Sequence, residues 1–184
     1  MKWNNHSNLD GTHAFLSASQ HSWLNYDDEK LVTIYKNRMA AMHGTEIHEY
    51  AAFCIRLKEK LPKRKRTLNM YVNDAIGFGL DPEVKLYFSN NCYGTADAIN
   101  FNNGFLRIHD LKTGVIPASL DQLAIYAALF CLEYKVKPGE IQTELRIYQN
   151  DDILVGKPTA EDILPIMDKI IRFDKLIESA KEEI

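Results

Sequence analysis

Two alternating runs that meet at Asn102-Asn103-Gly104 constrain this chain more than any other feature. Thr95-Ala96-Asp97-Ala98-Ile99 precedes the break, and Phe105-Leu106-Arg107-Ile108-His109-Asp110 follows it. Asn and Gly tolerate the positive φ of a tight turn, so the stretch predicts a β-hairpin. Period-two alternation then puts Leu106, Ile108, Asp110 and Lys112 on one face, with a carboxylate beside an amine. Charges at the end of an apolar strand cost free energy unless they meet a partner or solvent. A salt bridge is the plain explanation of an isolated Asp-x-Lys. Here Asp97 lies across the hairpin, close enough to converge on Asp110. Two carboxylates beside a lysine repel each other and attract a hard divalent cation, which oxygen ligands suit. Such a group can hold magnesium and polarise a phosphodiester, with the lysine orienting water or offsetting developing charge.

Two further patterns flank the hairpin. Upstream, Gly44-Thr45-Glu46-Ile47-His48-Glu49 falls on a helical pattern; downstream, Gln122 and Tyr126 are four apart and share a helix face. Asp97, Asp110-Leu111-Lys112, an upstream helical His and a downstream Gln-x-x-x-Tyr, in this order, resemble the PD-(D/E)XK nuclease superfamily, in particular its RecB-like, lambda-exonuclease-like branch. The resemblance covers residues 14 to 150. It implies a restriction-endonuclease-like core, an α/β fold with a central mixed sheet of four to five strands flanked by helices. It also implies one or two Mg2+ or Mn2+ ions held by Asp97, Asp110, His48 and the Leu111 backbone carbonyl. Lys112 would position the attacking water, and Gln122 and Tyr126 would line the groove beside the metal. Glu83 stands where several relatives place a further acidic residue. His43 and Glu49 are weaker candidates on the same helical stretch.

Composition narrows the class. A chain of 184 residues, 46% hydrophobic and 26% charged, suits a single globular domain. Its polar start, Met1-Lys2-Trp3-Asn4-Asn5-His6, does not read as a signal peptide, and no run reaches the roughly 20 apolar residues of a membrane helix. No membrane partner and a cytoplasmic setting are expected, the host cytoplasm if the chain is phage-encoded. Cys54, Cys92 and Cys131 are scattered and odd in number, so free thiols are expected. Three cannot supply the four ligands of an iron–sulfur cluster, and none is expected. The net charge of −3 argues against a high-affinity sequence-specific DNA binder acting alone. The one strongly basic run ends in Lys63-Arg64-Lys65-Arg66 after Pro62. A solvated turn is its ordinary meaning; beside a nuclease site it becomes a contact to the DNA backbone that reads no bases.

Along the chain, residues 1 to 13 read as a loose arm, and Ser17 or Ser19 as the cap of a helix holding Trp23 and Leu24. Separate helices are expected over 29 to 38 and from Gly44 or Thr45 to about Leu61, ended by Pro62. Another covers 68 to 79, stopped by glycine. Strands follow: Glu83 to Phe88, with Val84, Leu86 and Phe88 on one side and Glu83, Lys85 and Tyr87 on the other, and then the hairpin. A helix over 118 to 134, a strand over 143 to 148 and an amphipathic helix over 159 to 184 complete the order. Thr159 caps the last helix with Asp162 three positions on.

The function expected is divalent-metal-dependent hydrolysis of DNA phosphodiester bonds, by an exonuclease acting in recombination, repair or the processing of phage and mobile-element DNA. A homo-oligomer or a recombination partner protein would fit that setting. Two alternatives stay open here: a catalytically inactive DNA-binding or assembly protein on the same fold, and a nuclease acting on RNA.

Overall fold

A computed structural model describes residues 14–182; the expected loose arm over 1 to 13 lies outside the described residues. The chain divides into two compact units, residues 1–45 and 46–184. In the first unit a 3-10 helix spans Ala18–Asn25, with Ser17 at its N-cap position and the Ser17 carbonyl accepting the Trp23 indole N–H at 2.9 Å. Helix α1 runs from Asp28 to Leu57 without interruption. Two helices were expected, but an interior glycine such as Gly44 costs a helix only about 1 kcal/mol. Helix α1 also ends before Pro62. Lys58 turns left-handed at φ 56°, the Lys58 N–H bonds the Ile55 carbonyl and the Glu59 N–H bonds the Cys54 carbonyl. That paired closure is a Schellman motif formed without glycine.

The second unit is a five-stranded mixed sheet flanked by helices. Its elements after α1 are α2 (Thr67–Phe78), β1 (Asp81–Ser89), β2 (Cys92–Asn102), β3 (Phe105–Leu111), α3 (Asp121–Tyr134), β4 (Gln142–Gln149), β5 (Asp152–Gly156) and α4 (Ala160–Glu182). The strands lie in the order β1-β2-β3-β4-β5, antiparallel except for β3 and β4. The hairpin forms as expected. Asn102 pairs with Phe105, and Asn103 and Gly104 take φ of 49° and 75°, both left-handed. The same turn chemistry recurs at Asn150-Asp151, φ 51° and 58°, and creates β5, a strand absent from the expectation.

Two apolar layers form on the sheet. One packs Leu86, Leu106, Ile108, Leu145 and Ile147 with Leu123, Ala127 and Phe130 of α3 and Ile163 of α4. The other packs Ala98, Leu111 and Tyr148 with Ala51, Cys54 and Ile55 of α1 and Tyr71, Val72 and Ala75 of α2. Cys54 and Cys131 are buried free thiols, and Cys92 is also free. Helix α3 starts at Asp121 and not at Ala118, because Gln149 takes up the backbone of the preceding loop. Its amide nitrogen donates to the Gly114 and Ile116 carbonyls, and its oxygen accepts the Ala118 N–H. Thr159 and Asp162 form the expected cap of α4, the Asp162 carboxylate accepting both the Thr159 N–H (2.7 Å) and its hydroxyl (3.0 Å). Among the described residues no helix is long and apolar enough to cross a membrane.

Under α2 lies a buried polar set. The Tyr148 hydroxyl donates to Asp74 at 2.7 Å, so His109 Nδ1, at 3.3 Å, acts as donor to the same oxygen and Nε2 carries no proton. His109 is fully buried, and burial together with Arg146 and Arg107 lowers its pKa to about 3. The unfolded histidine takes a proton below its ordinary 6.5 and the folded one does not. The native state therefore loses about 1.4 kcal/mol for each pH unit between roughly 6.5 and 3 from this residue alone. Urea titrations from pH 7 to pH 4 should show His109→Gln flattening that decline relative to the unsubstituted protein.

Candidate active site

The carboxyl end of β3 is where the site assembles. Ala98 pairs with His109 across the hairpin, which sets Asp97 one step from the end of the β2–β3 ladder, beside Asp110. The Leu111 N–H donates to Asp97 Oδ2 at 3.0 Å and ties the two strands there. Asp97 also sits at an irregularity. Ala96 faces the α3 layer and Ala98 the α2 layer, although residues two apart on a regular strand share a face. The β1–β2 ladder pairs Pro82 with Ala98 and Val84 with Ala96 and skips the step between, where Glu83 takes φ of 55°. Such a local break re-aims a side chain.

Asp110 faces α3 and is 3% exposed. Burial raises its carboxyl above the usual range, and the Asp97 charge adds to this; Lys112 opposes both. Lys112 Nζ lies 3.1 Å from Oδ1 and 3.0 Å from Oδ2, but only the Oδ1 contact has hydrogen-bonding geometry. Oδ2 is therefore a buried oxygen without a hydrogen bond. The same amine donates to Gln122 Oε1 at 2.8 Å, and Gln122 Nε2 donates to the Tyr126 hydroxyl at 3.2 Å. The Tyr148 carbonyl accepts the Lys112 N–H at 2.9 Å and fixes the backbone of the lysine from β4. Asp110, Lys112, Gln122 and Tyr126 thus form one hydrogen-bonded chain from β3 to α3.

His48, on α1, places Nδ1 3.3 Å from Asp97 Oδ2. This hydrogen bond raises the histidine above its ordinary pKa, against the lowering effect of burial. Among the described residues, no three His, Cys, Asp or Glu side chains form a group able to hold a metal ion. His48 thus meets one of the two aspartates beside which it was expected as a ligand. The carboxylates still suit one hard cation. Magnesium is held through one or two carboxylates while keeping waters and substrate oxygens, and Oδ2 of Asp110 carries no hydrogen bond, with Lys112 Nζ 3.0 Å from it. Glu83 does not join them: its carboxylate pairs with Arg56 of α1. Glu49 is exposed on α1, and His43 belongs to the first unit.

The basic run is an ordered loop. Asn73 bonds both the N–H and the carbonyl of Leu61, and Asn69 donates to the Pro62 carbonyl. Arg66 is engaged by Asp151 at 2.8 Å, while Lys63, Arg64 and Lys65 are exposed. A hollow of about 360 Å³ lies beside the loop's end, lined by Ile47, Thr67, Leu68, Leu111, Lys112, Thr113, Asn150 and Asp151. A larger, mostly apolar hollow of about 510 Å³ is lined by Cys131, Val136, Pro138, Leu164 and Met167 among others, and its charged residues, Lys135, Lys137 and Glu140, are exposed. The charged end of β3 is the better candidate for chemistry, since reactions need titratable groups held together.

Arg56, the Tyr148 carbonyl and Gly94 escaped the sequence reading. For Gly94 a signal existed, an isolated glycine inside a strand. A Cβ there would meet the Tyr126 ring at 2.8 Å, so the glycine makes room for that ring.

No family model matches the chain, and no curated protein matches it.

A raised carboxyl carries a stability consequence. Above its pKa the ionised Asp110 opposes folding, because the unfolded chain ionises more readily. At pH 7 with a chelator, Asp110→Asn should melt at a higher temperature than the unsubstituted protein. Added Mg2+ should raise the melting temperature of the latter and leave the variant unmoved. Calorimetry of both proteins, with and without the ion, checks this.

Proposed function

We propose that this protein is a divalent-metal-dependent nuclease that hydrolyses phosphodiester bonds of DNA, on a restriction-endonuclease-like core of the RecB-like, lambda-exonuclease-like kind. The observation that carries the reading is the meeting of Asp97, Asp110 and Lys112 at the end of β3, with one buried Asp110 oxygen lacking a hydrogen bond. Asp97 and Asp110 would hold Mg2+ or Mn2+, joined by the Leu111 carbonyl. The ion, when bound, supplies Lewis acidity toward a phosphoryl oxygen and lowers the pKa of water.

The chain's own groups do the rest. An ammonium has three N–H bonds; Lys112 gives one to Asp110 and one to Gln122, and the third serves the attacking water or a phosphate oxygen. Tyr126 holds the Gln122 amide so that its oxygen faces the lysine. His48 keeps one Asp97 oxygen turned toward α1. Lys63, Arg64 and Lys65 offer charge to the backbone without reading bases. Arg66, held by Asp151, shapes the loop.

Incubation of labelled linear DNA, closed circular DNA and RNA, with Mg2+, Mn2+ or a chelator, tests the proposal. Metal-dependent cleavage of DNA is expected from the unsubstituted protein. Lys112→Ala should lower it about 10²–10³-fold or more while leaving fold and metal binding intact, since a single preorganised donor contributes about that much. Equal rates from the two proteins, or no cleavage of DNA by either, would overturn it.

A further inference from the structure

The outer face of the β1–β2 hairpin carries an aromatic pair that the proposed reaction leaves without a role. The ladder sets Tyr87 opposite Tyr93 and Lys85 opposite Thr95. All four are exposed, while Leu86, between Lys85 and Tyr87, and Ala96, next to Thr95, are buried in the α3 layer. Tyr87 is 44% and Tyr93 59% exposed, with ring centroids 6.3 Å apart and planes 26° from parallel. Single exposed aromatics are ordinary. Two adjacent, near-parallel rings on a rigid hairpin make a continuous π surface. Tyr87 is further fixed: its hydroxyl donates to Asn90 at 3.1 Å and its N–H to Glu133 at 2.8 Å.

This surface runs toward the candidate site. Tyr93, Thr95 and Asp97 occupy alternate positions of β2, so the rings and the carboxylate are about 13 Å apart along one strand, at ~3.3 Å per residue. Four nucleotides stacked at ~3.4 Å cover that length. On β1, Lys85 lies between Tyr87 and Glu83, whose carboxylate is neutralised by Arg56. An anionic backbone passing along the face therefore meets a cation before it meets Asp97.

We infer that the outer face of the β1–β2 hairpin is a stacking platform for single-stranded nucleic acid, with Tyr87 and Tyr93 under the bases and Lys85 against the backbone, leading a phosphodiester toward Asp97. The destination of the strand rests on the cleavage reading above; the platform itself does not need catalysis. Aromatic rings take any base, because every base has a π face. A duplex keeps those faces inside its own stack. The platform thus selects single strands or frayed ends over paired ones.

Anisotropy of a short fluorescent oligodeoxythymidylate, titrated with protein in a chelator, tests the platform apart from cleavage. The unsubstituted protein should bind the single strand more tightly than a duplex of equal length. Tyr87→Ala with Tyr93→Ala should weaken single-strand binding about tenfold or more. The paired Tyr→Phe changes should retain it, with circular dichroism unchanged throughout. If the alanine variant binds as the unsubstituted protein does, or if the latter does not bind the single strand, the platform is wrong whatever the cleavage assays return. If binding falls as expected and no protein cleaves DNA, the platform stands and the metal chemistry falls.

Discussion

A carboxylate removed from water at the end of a strand is the constraint that organises this molecule. Asp110 belongs to a face whose other members, Leu106 and Ile108, are core residues, and its ionised form is costly there. The surrounding elements each answer that cost in part. Lys112 contributes an ammonium, α3 contributes Gln122 to hold the ammonium, and β4 fixes the lysine backbone through the Tyr148 carbonyl. The compensation is incomplete, since one oxygen of Asp110 has no hydrogen bond and a second carboxylate stands beside it. Proteins tolerate such residual unfavourable charge where a ligand or reaction relieves it.

The scaffold holds these groups on rigid elements. Asp110 and Asp97 come from paired strands, Gln122 and Tyr126 from a helix with Leu123 and Ala127 buried in the core, and His48 from α1. The parallel pairing of β3 with β4, bridged by α3, leaves the strand end open beside the hollow at Lys112. The break at Asp97 and Glu83 turns one carboxylate toward β3 and the other toward Arg56. Two acids that register would place side by side are thereby separated, which limits the repulsion at the site to a single pair.

Much of the fold was legible because local rules produce it. Asn103-Gly104 needed only positive φ, Gly79 ended α2 as a left-handed cap, and Thr159 with Asp162 started α4. The readings that failed were ones in which a distant group outweighs a local preference. Gln149 delays α3 by binding a loop some 30 residues away in sequence; α1, by contrast, continues through Gly44 because one glycine costs too little to break it. Strand β5 was missed although Asn150-Asp151 announced its turn, since its residues are only partly buried and their alternation is weak.

The candidate site divides in the same way. Sequence alone determined the residue types, their order and their parity, because alternation on a strand and four-residue spacing on a helix are properties of the backbone. It placed Asp110 with Lys112, and Gln122 with Tyr126. Tertiary structure alone decided that Lys112 reaches both partners at once, that His48 bonds Asp97, and that Glu83 turns away to Arg56. The physical reason is that burial and long-range hydrogen bonding set which donor meets which acceptor, and neither is encoded in the spacing of neighbours along the chain.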